Sequence, residues 1–182
     1  MSDTSERYAR VADAFAARII AVPADAWSNP SPCEDWTARD VVRHVVDTTG
    51  AFLQRADQSL GDIPSVDDDP GAAFAAASAK AVDALEDPAI ADQPIESGMG
   101  DMTLERMFGM FGVGDVLIHT WDLSRAVGLD ERLDPDEVDR IYALMEKNDA
   151  MLRGGTAFGD KVEPPPGADK QTQLLCFTGR HV

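Results

Sequence analysis

Gly114-Asp115-Val116-Leu117-Ile118-His119-Thr120-Trp121-Asp122-Leu123 lies within an apolar run from Met102 to Val127 that contains neither proline nor lysine. With no helix breaker of that kind and apolar residues at three- and four-residue steps, the run predicts a long buried helix. Asp115 and His119 are four residues apart and leave one face a single turn apart. Asp122 follows three residues after His119, nearly above Asp115. Two carboxylates and an imidazole thus share one stripe of an otherwise apolar helix. Burying such groups is costly unless they are paired or hold a metal. This cost makes the stripe the first candidate site.

Thr103 is placed to cap this helix, which spans 104–127, and Gly128 to stop it. Leu104, Met107, Phe108, Phe111, Asp115, Ile118, His119 and Asp122 form its inward line. Gly109, Gly112 and Gly114 are unfavourable in a helix interior. They point to close packing, or to room for a ligand beside the acid.

Upstream, residues 5–22 form an amphipathic pattern, with Tyr8, Val11, Ala12, Phe15, Ile19 and Val22 on one face and Pro23 as terminator. The proline-rich segment 23–36 is a loop, and Trp27 and Trp36 are expected to plug its two ends into the core. Cys33 in that loop is expected to be a small buried residue and not a ligand. The rise from Thr37 to His44 alone is roughly 10 Å along a helix. Thr37-Ala38-Arg39-Asp40 has capping-box spacing and starts a second helix running to about residue 60. Its inward stripe is Val41, His44, Val45, Thr48, Phe52 and Arg55 or Ala56. Taken alone, His44 is a core histidine bonded to a carbonyl. With His119 it becomes a metal candidate, because the two mid-helix histidines both fall on apolar faces.

A third, alanine-rich helix is expected over 71–85, with Phe74, Ala77, Ala81, Val82 and Leu85 inward. Residues 93–102 form a crossover with a short extended piece. Gly98-Met99-Gly100 lacks the spacing and the following lysine of a phosphate loop. Asp134-Pro135-Asp136-Glu137 starts a further helix to about residue 152. Residues 154–167 are a loop, and 169–177 a last short helix ended by Gly179. His181, next to the C-terminus, is a poor ligand candidate. The architecture is therefore all-α: a four-helix bundle with a crossover between helices 3 and 4 and extra C-terminal helices, in a single domain over 1–182.

The 33 acidic and 16 basic residues give a formal net charge of −17. Such a surface repels nucleic acid and anionic lipid, so neither is an expected partner. A secretory leader and a membrane-length apolar run are both absent, and a cytoplasmic protein is expected. Two cysteines, Cys33 and Cys176, are too few and too ill-spaced for a disulfide framework or a cysteine zinc site. An exposed apolar helix face would permit a homodimer.

Two histidines and one carboxylate on two helices leave an open coordination position on a divalent ion, the form of a catalytic site. Such a position can take water or a thiol and lower its pKa. The two segments carrying these groups are Pro32-Cys33-Glu34-Asp35-Trp36-Thr37-Ala38-Arg39-Asp40-Val41-Val42-Arg43-His44 and Gly114 to Leu123. In this order the chain resembles the DinB-like superfamily. Within it, the resemblance is to the metal-binding domain of mycothiol-dependent maleylpyruvate isomerase and its actinobacterial relatives, and it extends to the ending Gln173 to Arg180. The resemblance implies a DinB-like bundle and a divalent ion, zinc or else nickel or iron(II), on His44, Asp115 and His119. Isomerase-like members carry Glu where this chain has Asp115. Asp122 then becomes a supporting partner of the site or a substitute ligand. The isomerase has a separate C-terminal domain, which this chain is expected to lack.

The implied activity is a metal-dependent thiol transferase or isomerase-like enzyme. Mycothiol would be its co-substrate and a small electrophile its acceptor. The competing expectations are a non-catalytic, metal-stabilised bundle with a binding or regulatory role, and a metal-free bundle in which Asp115 and His119 merely pair.

Overall fold

The computed structural model describes residues 2–96, 100, 102–152 and 159–182. Gly98 and Met99 of the expected crossover, and Gly154 and Gly155 of the late loop, lie outside the described residues. By compactness the chain divides into two units, Met1–Glu131 and Arg132–Val182. The regular secondary structure of the described residues is all helical, with two isolated antiparallel bridges, Pro30 with Thr37 and Pro94 with Thr103. The all-α architecture expected from the sequence is the one observed, and it is consistent with a DinB-like bundle.

In the first unit, α1 spans Asp3–Ala21 and is capped by the Ser2 side chain, which accepts from Ser5 N–H. Its buried residues, Tyr8, Val11, Ala12, Phe15 and Ile19, follow the spacing read from the sequence. Helix α2, Ala38–Gln54, opens on a complete capping box between Thr37 and Asp40. Asp40 Oδ2 accepts from Thr37 N–H at 2.9 Å and from its hydroxyl at 2.6 Å. These bonds hold the Asp40 carboxyl below its ordinary pKa.

Helix α2 stops about six residues before the expected end. Asp57 takes φ +55, and Gln58 N–H reaches back to Leu53 C=O at 3.0 Å. This is the left-handed closure that glycine usually supplies, made here by an aspartate.

Helix α3, Pro70–Glu86, starts on an Asp69 cap, and the four-residue α4, Pro88–Ala91, starts on Asp87. Thr103 caps α5, Leu104–Met107. A π-helical turn, Phe108–Gly112, then leads directly into α6, Val113–Val127. Backbone angles at Met107 and Val113 stay right-handed helical, so α5, the wide turn and α6 form one rod. A Cβ on Gly112 would lie 2.7 Å from the Phe108 ring, which explains glycine there. Gly128, at φ +71, closes α6 in the left-handed region.

Helices α1, α2, α3 and α6 form the bundle: α1 packs on α3 and α6, and α2 packs on the same two. Edge-to-face pairs Tyr8–Phe108 at 5.0 Å and Phe15–Phe74 at 4.9 Å knit its interior. On α2 the fully buried line is Val41, Val42, Val45, Val46, Thr49 and Leu53. His44, Thr48 and Phe52 are only partly buried. His44 therefore marks the edge of the core and not its middle.

In the second unit, α7, Pro135–Lys147, is capped by Asp134, whose side chain accepts from two N–H groups. The helix expected to reach residue 152 breaks at Asn148, whose side-chain amide donates to Leu144 C=O at 2.7 Å. A short α8, Asp149–Leu152, follows. Helix α9, Lys170–Phe177, packs on α7, with Tyr142 edge-on to Phe177. No helix among the described residues is long and apolar enough to cross a membrane.

Candidate metal centre

The site forms where the partly buried edge of α2 meets the polar stripe of α6. Helix α6 carries this stripe because its other polar groups are satisfied internally. The buried hydroxyls of Thr120 and Ser124 donate to Val116 C=O at 2.7 Å and Thr120 C=O at 2.8 Å. Asp115 and His119 project one turn apart, with His119 Nε2 3.5 Å from Asp115 Oδ1. From α2, His44 Nε2 approaches the same oxygen at 3.3 Å. One carboxylate oxygen thus faces two imidazole nitrogens from two helices. The ligand-capable atoms of the three residues lie within 4.8 Å of one another.

That geometry has a chemical meaning. Two atoms each about 2.0–2.1 Å from a shared tetrahedral ion are separated by about 3.3–3.4 Å. The Asp115 oxygen stands at that separation from His44 Nε2, 3.3 Å, and slightly beyond it from His119 Nε2, 3.5 Å, so the shorter arm of aspartate reaches both rings. The donor set of two imidazoles and one carboxylate suits zinc, nickel or iron(II).

Exposure falls steeply across the site, from 34% for the His44 side chain and 22% for Asp115 to 8% for His119 and 0% for Asp122. The His44 side of the cluster is therefore partly exposed, and the Asp122 carboxylate is fully buried. At the buried end, Asp122 Oδ2 lies 2.8 Å from His119 Nδ1. The contact is close, but the nitrogen makes no aligned hydrogen bond with it. A buried carboxylate this close to a buried imidazole constrains the ring's orientation.

Two residues that sequence reasoning placed elsewhere complete the site. Trp36 does not plug the core. Its ring is 4.8 Å from the His44 ring and stacked 5.9 Å from the His119 ring, with only partial burial. Cys33 is also only partly buried, and its Sγ donates to Asp122 Oδ2 at 3.5 Å.

Both arrive through a tight reversal before α2. Ser31 N–H bonds Trp36 C=O at 2.8 Å, and Ala38 N–H bonds Asn29 C=O at 2.9 Å. Asp35 turns the chain at φ +62, and the Asn29 amide donates to Ala126 C=O near the end of α6 at 3.1 Å. The reversal carries Cys33 back along the bundle, which a distance counted along the helix axis does not capture. The available signal was the run Pro32 to Trp36, which adjoins the α2 motif. Trp27, the other loop indole, packs under the Arg39 guanidinium and takes no part in the site.

Tyr8 lies beneath the centre, its hydroxyl 3.4 Å from Thr49 Oγ1. Burial pushes its pKa up to about 12, against the Thr49 hydrogen bond, and the negative charge of Asp115 adds to the rise. Tyr8 is therefore a neutral donor at physiological pH and cannot serve as the base. This rise predicts a pH dependence. Above the ordinary tyrosine pKa the unfolded chain gives up this proton and the folded chain keeps it. Stability then falls with rising pH between about 10 and 12, by up to about 1.4 kcal/mol per pH unit. Urea unfolding at pH 9 to 11 should show that slope, and Tyr8→Phe should flatten it.

An all-helical bundle with a two-histidine, one-carboxylate cluster spanning two of its helices defines a class of candidate metal-binding bundles. The family described as "Mycothiol maleylpyruvate isomerase N-terminal domain" matches residues 8–124, and the chain belongs to that family. The matched region holds every residue of the site. The chain is also 33% identical over 175 residues to two uncharacterized proteins of Mycobacterium tuberculosis, MT0763 of strain CDC 1551 / Oshkosh and Rv0738 of strain H37Rv. The alignment covers 95% of this chain and 95% of each relative. No solved structure gives a significant match.

Proposed function

We propose that this protein is a divalent-metal-dependent enzyme that transfers, or isomerises with the help of, a low-molecular-weight thiol. His44, Asp115 and His119 hold the ion, and mycothiol is the co-substrate that the family description suggests. The observation that carries this reading is one Asp115 oxygen facing an imidazole from each of two helices, at the partly exposed end of the cluster. A divalent ion bound there would stabilise a thiolate at neutral pH.

The chain's own residues supply the rest. His44 and Asp115 meet the incoming thiol at the exposed rim. His119 anchors the ion from the buried side, and Asp122 holds the His119 ring in place. Trp36 packs against both imidazoles, stacked on His119 and tilted on His44. The acceptor in this reading is a small electrophile.

Two measurements on untagged protein test this reading. Metal analysis is expected to find zinc, nickel or iron at a stoichiometric level, and metal-free protein would overturn the proposal. Loaded protein is expected to consume mycothiol in the presence of a generic electrophile, and chelation should abolish this. Metal retention with no thiol consumption would instead support a non-catalytic, metal-stabilised bundle.

A further inference from the structure

Sulfur stands at the buried end of the same cluster. Cys33 Sγ, a His119 ring nitrogen and an Asp122 oxygen come within 4.8 Å of one another, a second grouping that shares only His119 with the first. We propose that Cys33, His119 Nδ1 and Asp122 form a second, sulfur-containing cation position beside the first, with the His119 ring between the two. The inference goes beyond the thiol-transfer reading and does not need it.

Three features support it. First, His119 Nδ1 sits in a side chain only 8% exposed, points into the Cys33–Asp122 pair, and has no aligned hydrogen bond. A buried ring nitrogen in that state is costly unless something engages it. Second, Asp122 is a fully buried carboxylate. A cation shared with Cys33 and His119 would add to the contacts that already offset the carboxylate's desolvation. Third, the ligand types match a soft or borderline divalent ion: thiolate, imidazole and carboxylate are all zinc ligands. The two ring nitrogens of His119 face opposite ways, and because a neutral imidazole offers only one free lone pair, filling both positions at once makes the ring a bridging imidazolate. The Cys33 thiol and the His119 ring N–H would each release a proton to solvent as both positions fill.

Cobalt(II) titration of the untagged, metal-free full chain tests the proposal. Cobalt bound by a cysteine shows a near-ultraviolet thiolate charge-transfer band, and dialysis gives the number of ions bound. Wild type is expected to bind two equivalents, one of them raising the band. Cys33→Ser should bind one and lose the band. His44→Ala should also bind one but keep it, which separates the two positions. Asp122→Asn, checked for retained helicity, should weaken the band-forming equivalent selectively. The proposal is overturned if saturated wild type shows no thiolate band, or if Cys33→Ser binds as many ions as wild type. Should that happen while His44→Ala loses all binding, the first position stands and only the second falls. If the band survives but His44→Ala and Asp115→Asn leave the count unchanged, the second position stands and the first falls.

Discussion

Replacing His119 with alanine is expected to remove retained divalent metal from the protein. This ring is the only side chain common to both ligand groupings, with Nε2 toward Asp115 and Nδ1 toward Asp122. Loss of a residue that only supports a ligand typically weakens metal binding about 10- to 100-fold. Loss of the shared ligand itself should exceed about 100-fold on that scale. Competition against a chromogenic chelator would measure the change, with circular dichroism to show that the helices persist. His44→Ala should cost less, because His44 stands at the open rim with a third of its side chain exposed. Affinity within a few-fold of wild type for His119→Ala would remove the basis for metal binding at this cluster.

Trp121→Ala is expected to cost the most stability of any single change on α6. The indole is 1% exposed, among the largest fully buried side chains, and the Arg125 guanidinium lies over its ring at 4.8 Å. Truncating a buried tryptophan to alanine costs about 3–5 kcal/mol through lost transfer energy and the cavity left behind. A typical domain has only about 5–15 kcal/mol in total. The variant should therefore unfold at much lower denaturant, and metal should rescue part of the loss, since an ion held only by the folded bundle stabilises it. Trp121→Phe should lie between the two. A loss under about 1 kcal/mol would mean that α6 does not pack as described.

Much of the bundle could be read from the chain because its signals are local. The Thr37–Asp40 capping box, the Asp134-Pro135 start, the Gly128 stop and the alanine-rich α3 each declare themselves within a few residues. The i, i+4 pair Asp115 and His119 needed only helix geometry. That His44 should stand opposite them was the longer step, since it depends on how α2 and α6 pack. Taken alone, His44 reads as a core histidine. It was the second mid-helix histidine beside an acid, and then the family motif, that pointed to a metal.

The misreadings share a physical origin. The α2 terminus rests on Asp57 in a conformation that favours glycine, and the break at Asn148 rests on a side-chain amide bonding to its own helix. Neither has a periodic signature. Cys33 and Trp36 were misplaced because the loop was treated as leading away from the helix it precedes. The hydrogen bonds Ser31 to Trp36, Ala38 to Asn29 and Asn29 to Ala126 fold it back instead. The three glycines between 109 and 114 had suggested close packing or room for a ligand, and at two of them it is close packing. Gly109 and Gly112 answer to the chain's own Thr4 and Phe108.

The wide turn at Phe108–Gly112 bears on how relatives should be aligned. Such a turn holds one residue more than the α-helical repeat allows, so everything after it is rotated by about 100° relative to a uniform rod. The angular position of Asp115 and His119 is thus set by the number of residues between Met107 and Val113. A relative one residue shorter in that interval would keep the Asp-x-x-x-His spelling yet turn it toward a different neighbour. Matching letters are an insufficient guide to a matching site here unless the count across this interval also agrees.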